Sequence, residues 1–301
     1  MDTIEIVEVG PRDGLQNEDV VLDPPTRVDF VGRLVAAGIR RLETVSFVHP
    51  GRVPQMAGAE EVMAGVVRRA DDGSPVSHIG LVLNERGLER AIAAEVDEVN
   101  LVVITTEEFS RRNQGAGVAD VVAATRRMMA RAHDVGLRTT VTVSAAFGCP
   151  FAGEVSTDDV LAVVDPVLEG DPDELALADT IGVGVPADVR RLVDAVRSRT
   201  DIALRAHFHN TRNTGYANAI AAAESGVAAL DASSGGFGGC PFAPAATGNI
   251  ATEDLVYGLA RSGFDTGLDV DALTVPAAWI TARLGEEQPP ALLGRAGTFP
   301  G

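Results

Sequence analysis

Two histidines, His207 and His209, flank Phe208 in the run Leu204–His209. Alternate residues of a strand point to one face, so in a strand both imidazoles project the same way and can share one ion. A single strand histidine is ordinarily a satisfied polar residue, but two of the chain's five on one face argue for a ligand pair. Asp13 offers an anionic third ligand and Asn249 a neutral oxygen. Two imidazoles, a carboxylate and an amide oxygen with positions left open suit Mg2+, Mn2+ or another six-coordinate ion better than a closed structural zinc site. Ions held this way polarise substrate oxygens and lower the pKa of a bound hydroxyl.

A second chemical signal is Gly235-Gly236-Phe237-Gly238-Gly239, which runs into Cys240-Pro241 and then Thr247-Gly248-Asn249. The plain reading is a tight backbone corner. The functional reading is a mobile cover that closes over a site, excludes water and delivers the Cys240 thiol to the reacting centre. Cys149, in Phe147-Gly148-Cys149-Pro150, reads as a packed free thiol.

The elements that must position these groups alternate along the chain. Eight short runs read as strands: Ile4–Val9, Arg40–Val45, Ser77–Leu83, Glu98–Ile104, Thr139–Ser144, Glu174–Asp179, Leu204–His209 and Val227–Ala232. Each precedes a stretch with helical spacing: Pro25–Ala37, Gln55–Arg69, Glu85–Glu95, Gly117–Val135, Thr157–Leu168, Pro186–Arg199, Thr214–Ser225 and Thr252–Arg261. Eight such units predict an α/β fold of the (β/α)8 TIM-barrel kind, which needs roughly 250 residues. One catalytic domain is expected over 1–301, the barrel over about 3–265 and a short C-terminal extension over about 266–301. Its end, Gln288–Gly301, is expected to be loosely held or packed on the surface. After the first run comes the polar segment Gly10–Gln16 and no Gly-rich dinucleotide fingerprint, which argues against an open doubly wound sheet. Barrel sites form at the C-terminal ends of the strands. Arg12, Asp13, Glu43, Ser46, Asn84, Ser144, Asp179, Thr180, His207 and His209 fall at such ends.

The chain has 43 acidic against 25 basic residues, a formal net charge of −18, and 46% hydrophobic residues. That composition supports a folded core and repels phosphate backbones and anionic lipid, so nucleic acid is not an expected partner. An anionic ligand would require local arginines or a metal to reverse the field. Two cysteines outside any CxxC pair suit a reducing cytoplasm. No basic, then apolar, leader and no membrane-spanning stretch is apparent, so neither export nor membrane association is expected.

Several blocks, taken in order, resemble the 3-hydroxy-3-methylglutaryl-CoA lyase family, within the larger group of metal-dependent barrel lyases and synthases that includes isopropylmalate synthase. They are Val7–Glu18, Glu43–Val48, Val53–Met56, Gly148–Phe151, Asp179–Gly184, Gly238–Pro241 and Thr247–Leu255, which together span nearly the whole chain. The resemblance implies that Asp13, His207, His209 and Asn249 bind the metal, with Arg12 and Glu43 in the catalytic surround and Cys240 as the loop cysteine. It implies a retro-Claisen cleavage of the C2–C3 bond of a 3-hydroxyacyl-CoA, giving acetyl-CoA and a keto acid such as acetoacetate. In that scheme Asp13 or a metal-bound base takes the hydroxyl proton, Arg12 stabilises the enolate oxygen, and Cys240 or His207 protonates the enolate carbon. Arg111, Arg112 and Asn113 match a basic stretch that would meet CoA, the plainer reading being a solvated loop. A homodimer is the family expectation.

The chain also departs from the family pattern. Asn210 follows the histidine pair where familiar members have Asp, Asp19 stands where many have Lys, and Phe242 replaces a Tyr. Arg212 is an added cation that can meet a substrate carboxylate or lie on the rim. These changes leave open a citramalyl-CoA-type lyase, a longer branched substrate, the condensing direction, or a metal-dependent aldolase or acyltransferase acting on a free keto acid. A scaffold without activity is disfavoured by the intact ligand set.

Overall fold

In the computed structural model, which describes residues 2–239, 248–285, 291, 293–297 and 299, eight parallel strands close on themselves in sequence order. They are β1 (Glu5–Glu8), β2 (Arg41–Ser46), β3 (Ser77–Val82), β4 (Glu98–Ile104), β5 (Arg138–Ser144), β6 (Glu174–Asp179), β7 (Ala203–Phe208) and β8 (Ala229–Ala232). β1 pairs with both β2 and β8, which completes the (β/α)8 barrel expected from the alternation. The α-helices are α1 (Pro24–Ala36), α2 (Ala59–Gly65), α3 (Glu85–Ala93), α4 (Glu107–Gln114), α5 (Val118–Asp134), α6 (Thr157–Leu168), α7 (Pro186–Arg197), α8 (Gly215–Glu224), α9 (Thr252–Arg261) and α10 (Val270–Leu284). A one-turn helix, Leu293–Ala296, follows.

Local chemistry sets the helix starts. Asp23 accepts a hydrogen bond from Thr26 N at 2.9 Å ahead of Pro24, which opens α1 with φ already near its helical value. Ser156 and Asp159 form a reciprocal capping box that starts α6. The stretch expected as one helix over Gln55–Arg69 is instead a 3-10 turn, Pro54–Met56, followed by α2, because Gly58 between them takes φ +72.

Strand residues of one parity, including Leu42, Leu101, Val141, Val143, Leu175, Leu177 and Leu204, pack against apolar faces of the helices in one large core. The other parity faces the barrel interior, which in most such barrels is filled by branched apolar side chains. Here much of it is charged. Arg41 reaches Glu98 at 2.6 Å, Glu174 at 2.7 Å and Glu5 at 2.9 Å, and Thr140 Oγ1 donates to Glu98 at 2.6 Å. Nearer the site, fully buried Arg205 lies 3.3 Å from Asp231, 3.6 Å from Glu174 and 4.0 Å from Glu43. Asn100 Nδ2 donates to Glu43 Oε2 at 3.0 Å, and Thr142 Oγ1 donates to Asn100 Oδ1 at 2.8 Å. Buried charges persist only when paired, and these tiers pair one another across the barrel.

The extension carries α10, whose Leu273, Ala277 and Ile280 are buried. Trp279 stacks on Phe30 of α1 at 6.2 Å between centroids, with the Arg33 and Arg283 guanidinium groups over its ring at 4.6 and 4.9 Å.

Candidate metal centre

Arg12 and Asp13 are carried by a π-helical turn, Gly10–Gly14, closed by a bond from Gly14 N to Val9 O at 3.1 Å. Buried Glu8 anchors that turn to the segments that follow the neighbouring strand β8. Its carboxylate accepts from Gly10 N at 2.8 Å, Ser234 N at 2.9 Å and Thr252 Oγ1 at 2.7 Å. Burial pushes Glu8 up to about 7, against the opposing pull of those three donors. His207 is supplied by β7, and His209 just beyond it forms an isolated bridge with Asn249. Asn249 is delivered by Gly248, whose φ is +79 and where a Cβ would overlap the Gly238 carbonyl oxygen.

Asp13, His207 and His209 each offer a ligand atom, all within 4.8 Å of one another. His207 Nε2 lies 4.0 Å from Asp13 Oδ2, while His207 Nδ1 lies 3.2 Å from Asp231 Oδ2. Asn249 Nδ2 donates to Asp13 Oδ2 at 2.9 Å and to Phe237 O at 3.0 Å. Its Oδ1, like His209 Nδ1, is buried without a hydrogen-bond partner. Buried polar atoms are rarely left unpaired, so two orphans beside a carboxylate and a second imidazole fit an oxygen- and nitrogen-ligated divalent ion.

The protonation tendencies agree with that use. Burial opposes ionisation of Asp13, but Arg12, His207, His209 and the Asn249 amide outweigh it and hold the carboxyl well below its usual range. Burial, reinforced by the His207 charge, depresses His209 to about 4 and leaves one ring nitrogen with a free lone pair at neutral pH. For His207, burial works against the charged form, yet the hydrogen bond to Asp231 and the charges of Asp13 and Asp231 raise its pKa.

Glu43 grips Arg12 through Nε and Nη2, and Arg12 Nη1 lies 2.6 Å from Asp13 Oδ1. Arg12 is thereby fixed between a carboxylate of β2 and the candidate ligand beside it.

These groups face a cavity of about 560 Å³ at the C-terminal ends of the strands. Arg12, Asp13, His207, His209, Asn84, Asn113, Ser144 and Thr180 line it as well as Asp231 and Asn100. Glu43 stands behind Arg12, and Asp179 is buried, accepting from Val183 N and Gly184 N at 2.9 Å. Arg111 and Arg112 are not brought into the wall. They sit on α4, paired with Glu107 at 3.1 Å and Glu108 at 2.6 Å, and Arg112 also covers the Phe151 ring. Arg212 donates to the carbonyls of Ile181 and Gly182 at 3.0 and 2.9 Å, bracing the loop after β6. Asn210 Oδ1 accepts from Gly215 N at 3.1 Å at the start of α8. Cys149 is buried, with Thr106 Oγ1 3.0 Å from its sulfur. Cys240, Phe242 and Thr247 lie outside the described residues.

Asp231, Arg205, Asn100, His49 and Arg52 were not marked as site residues by sequence reasoning. For two of them a signal exists: Arg205, His207 and His209 share strand parity, and Asp231 is a lone acid in the apolar run Val227–Ala232.

Residues 3–279 match the HMGL-like family model. The chain is 43% identical over 304 residues to (R)-citramalyl-CoA lyase of Chloroflexus aurantiacus, covering 99% of this chain and 96% of that protein. It is 38% identical over 286 residues to hydroxymethylglutaryl-CoA lyase of Pseudomonas mevalonii, covering 95% and 94% respectively. Among solved structures, an HMG-CoA lyase from Acinetobacter baumannii in complex with coenzyme A and 3-methylmalate superposes with TM-score 0.92 at 36% identity, covering 99% of this chain and 96% of that one. By family model, sequence and fold alike, the chain belongs to the HMGL-like family.

Proposed function

We propose that this protein is a divalent-metal-dependent carbon–carbon lyase that cleaves the C2–C3 bond of a 3-hydroxyacyl-CoA to acetyl-CoA and a keto acid, in one catalytic domain spanning the chain. The observation that carries this is the largely buried Asp13, His207 and His209 group with the orphaned Asn249 Oδ1, opening into a cavity of about 560 Å³ in a member of this family. Asp13, His207, His209 and Asn249 would hold the ion. When bound, Mg2+ or Mn2+ would lower the pKa of the substrate's 3-hydroxyl and hold that oxygen beside a neighbouring carboxylate or carbonyl.

The chain's own groups provide orientation and charge. Arg12, locked by Glu43, whose carboxylate Asn100 holds in turn, presents fixed positive charge where the thioester oxygen becomes an enolate. Asp231 fixes the His207 ring so that Nε2 faces Asp13. Asp13, kept ionised by Arg12, is suited to ligation more than to proton abstraction, so the 3-hydroxyl proton would go to another base at the ion. Protonation of the enolate carbon falls to Cys240, because His207 would have Nε2 at the ion and Nδ1 on Asp231.

Among substrates named by relatives, citramalyl-CoA is favoured by the higher identity to (R)-citramalyl-CoA lyase, 43% against 38% for a hydroxymethylglutaryl-CoA lyase. Its hydroxyl and carboxylate share one carbon, so the pair can chelate an ion in a five-membered ring. The test is a panel of citramalyl-CoA, 3-hydroxy-3-methylglutaryl-CoA and longer analogues with Mg2+ or Mn2+, following acetyl-CoA, pyruvate and acetoacetate. His209→Ala and a chelator serve as controls. The proposal predicts metal-dependent acetyl-CoA release that the variant loses. No thioester cleavage, or equal cleavage by the variant, overturns it.

A further inference from the structure

A 3-hydroxyacyl-CoA carrying a carboxylate is anionic at both ends, and the metal centre has charge for only one of them. Counted formally, Arg12 and Arg205 stand against Asp13, Glu43 and Asp231, which leaves one net negative charge before a divalent ion binds and one net positive charge after. Arg12 is held by Glu43 and Asp13, and Arg205 is fully buried, so neither can reach a second anionic group.

Beyond Arg12 and the two ligand histidines, the described cavity wall has two further side chains able to carry positive charge, His49 and Arg52, in the turn after β2. Both are exposed to the cavity mouth. Arg52 makes no ion pair or side-chain hydrogen bond among the described residues, whereas Arg111 and Arg112, for example, are paired with glutamates of their own helix. In a chain with 43 acidic and 25 basic residues, an arginine left without a carboxylate beside an acidic site is a placement that favours a ligand anion.

The turn holds both groups in place. Arg52 N and Val53 N donate to His49 O at 2.8 and 3.3 Å. Gly51 N donates to His49 Nδ1 at 3.1 Å, so the neutral ring carries its proton on Nε2, the nitrogen left for a ligand. Arg90, itself paired with Glu60 at 2.7 Å, donates to the carbonyls of Phe47 and Val48 at 3.2 and 3.3 Å and braces the start of the turn.

We infer that His49 and Arg52 form the second anion site of this cavity, taking an anionic oxygen group of the thioester away from the ion, either a CoA phosphate or, in a substrate whose carboxylate does not chelate the ion, that acyl carboxylate. The inference rests on the lyase reading above. A guanidinium meeting phosphate or carboxylate oxygens makes charge-assisted hydrogen bonds that a neutral amide cannot replace.

The test compares wild type, Arg52→Gln, Arg52→Lys and the His49→Gln/Arg52→Gln double variant, by steady-state cleavage and by calorimetric titration with free CoA. For Arg52→Gln the expected result is a KM raised about tenfold, with kcat and Mn2+ affinity within about twofold of wild type. Arg52→Lys should recover most of the loss and the double variant should lose more. If the anion is a CoA phosphate, Arg52→Gln weakens free CoA binding and the KM effect disappears with a pantetheine thioester. If it is an acyl carboxylate, CoA binding is unchanged and the KM effect persists with the pantetheine thioester. An active wild type whose KM and CoA affinity are both insensitive to Arg52→Gln overturns the inference alone. A wild type that cleaves no thioester overturns the lyase reading, and this inference with it.

Discussion

The Asp231 carboxylate lies 3.2 Å from His207 Nδ1, so the opposite ring nitrogen is the one turned toward Asp13. A carboxylate behind a ligand imidazole fixes its tautomer and raises its basicity, and losing such a partner typically costs 10- to 100-fold in metal affinity. Asp231→Asn keeps the shape and removes the charge. Its Mn2+ dissociation constant should rise by about 10- to 100-fold, measured by titration on a fold verified by circular dichroism. An affinity equal to wild type would show that Asp231 does not orient the ligand.

Gly248→Ala should disable the centre from the backbone side. The residue sits at φ +79 against the Gly238 carbonyl, and its neighbour Asn249 carries the orphaned Oδ1. Displacing that segment also strips the amide donor from Asp13. We expect a loss of metal binding and at least a 100-fold fall in kcat/KM, roughly the cost of a misplaced catalytic group. Near-normal activity would mean that the Asn249 segment has room to shift.

Stability should depend on pH through Glu8. Its folded pKa of about 7 stands above the ordinary 4.5, so the folded state binds the proton more tightly than the unfolded one. The contribution is therefore full below pH 4.5, declines as pH rises, and is gone above about 7, a span worth on the order of 3 kcal/mol. Glu253, lifted by burial to about 8, adds a drop of the same sign. Urea unfolding of wild type and Glu8→Gln from pH 5 to 8 isolates the effect. The wild type should lose stability relative to the variant as pH rises, and parallel curves would refute the assignment.

Trp279→Ala tests whether α10 is integral to the barrel. Trp279 is half-buried against Phe30 between Arg33 and Arg283. Truncation should cost about 2–3 kcal/mol in urea unfolding while leaving KM and metal affinity unchanged below the melting range. A change in KM with intact stability would tie α10 to the site instead.

The strands were legible because each is a short run with turn chemistry at its end, and α6 and α9 match their expected bounds, Thr157–Leu168 and Thr252–Arg261. Parity made the histidine pair legible too. Arg205 and Asp231 were not, because an isolated charge in an apolar strand acquires meaning only when the barrel sets its partner on the neighbouring strand. His49 and Arg52 escaped for a related reason: their turn is polar and ordinary, and closure of the barrel is what places it in the cavity wall. Arg111 and Arg112 had the right charge, but at i,i+4 spacing the glutamates of α4 claim them. Helix α10 was hidden by Pro276, which reads as a breaker although the surrounding packing tolerates it.

The ion-paired barrel interior also bears on how such a protein can change over generations. Arg41 serves the buried carboxylates of both Glu98 and Glu174, so replacing it leaves them short of their shared cation at about 3–5 kcal/mol, a large share of a domain's whole stability. An apolar trio of similar volume would serve the fold as well or better. A route that begins at Arg41 passes through a form with two buried carboxylates short of their cation, so descent by point substitution disfavours that first step whether or not the charged trio is the best solution.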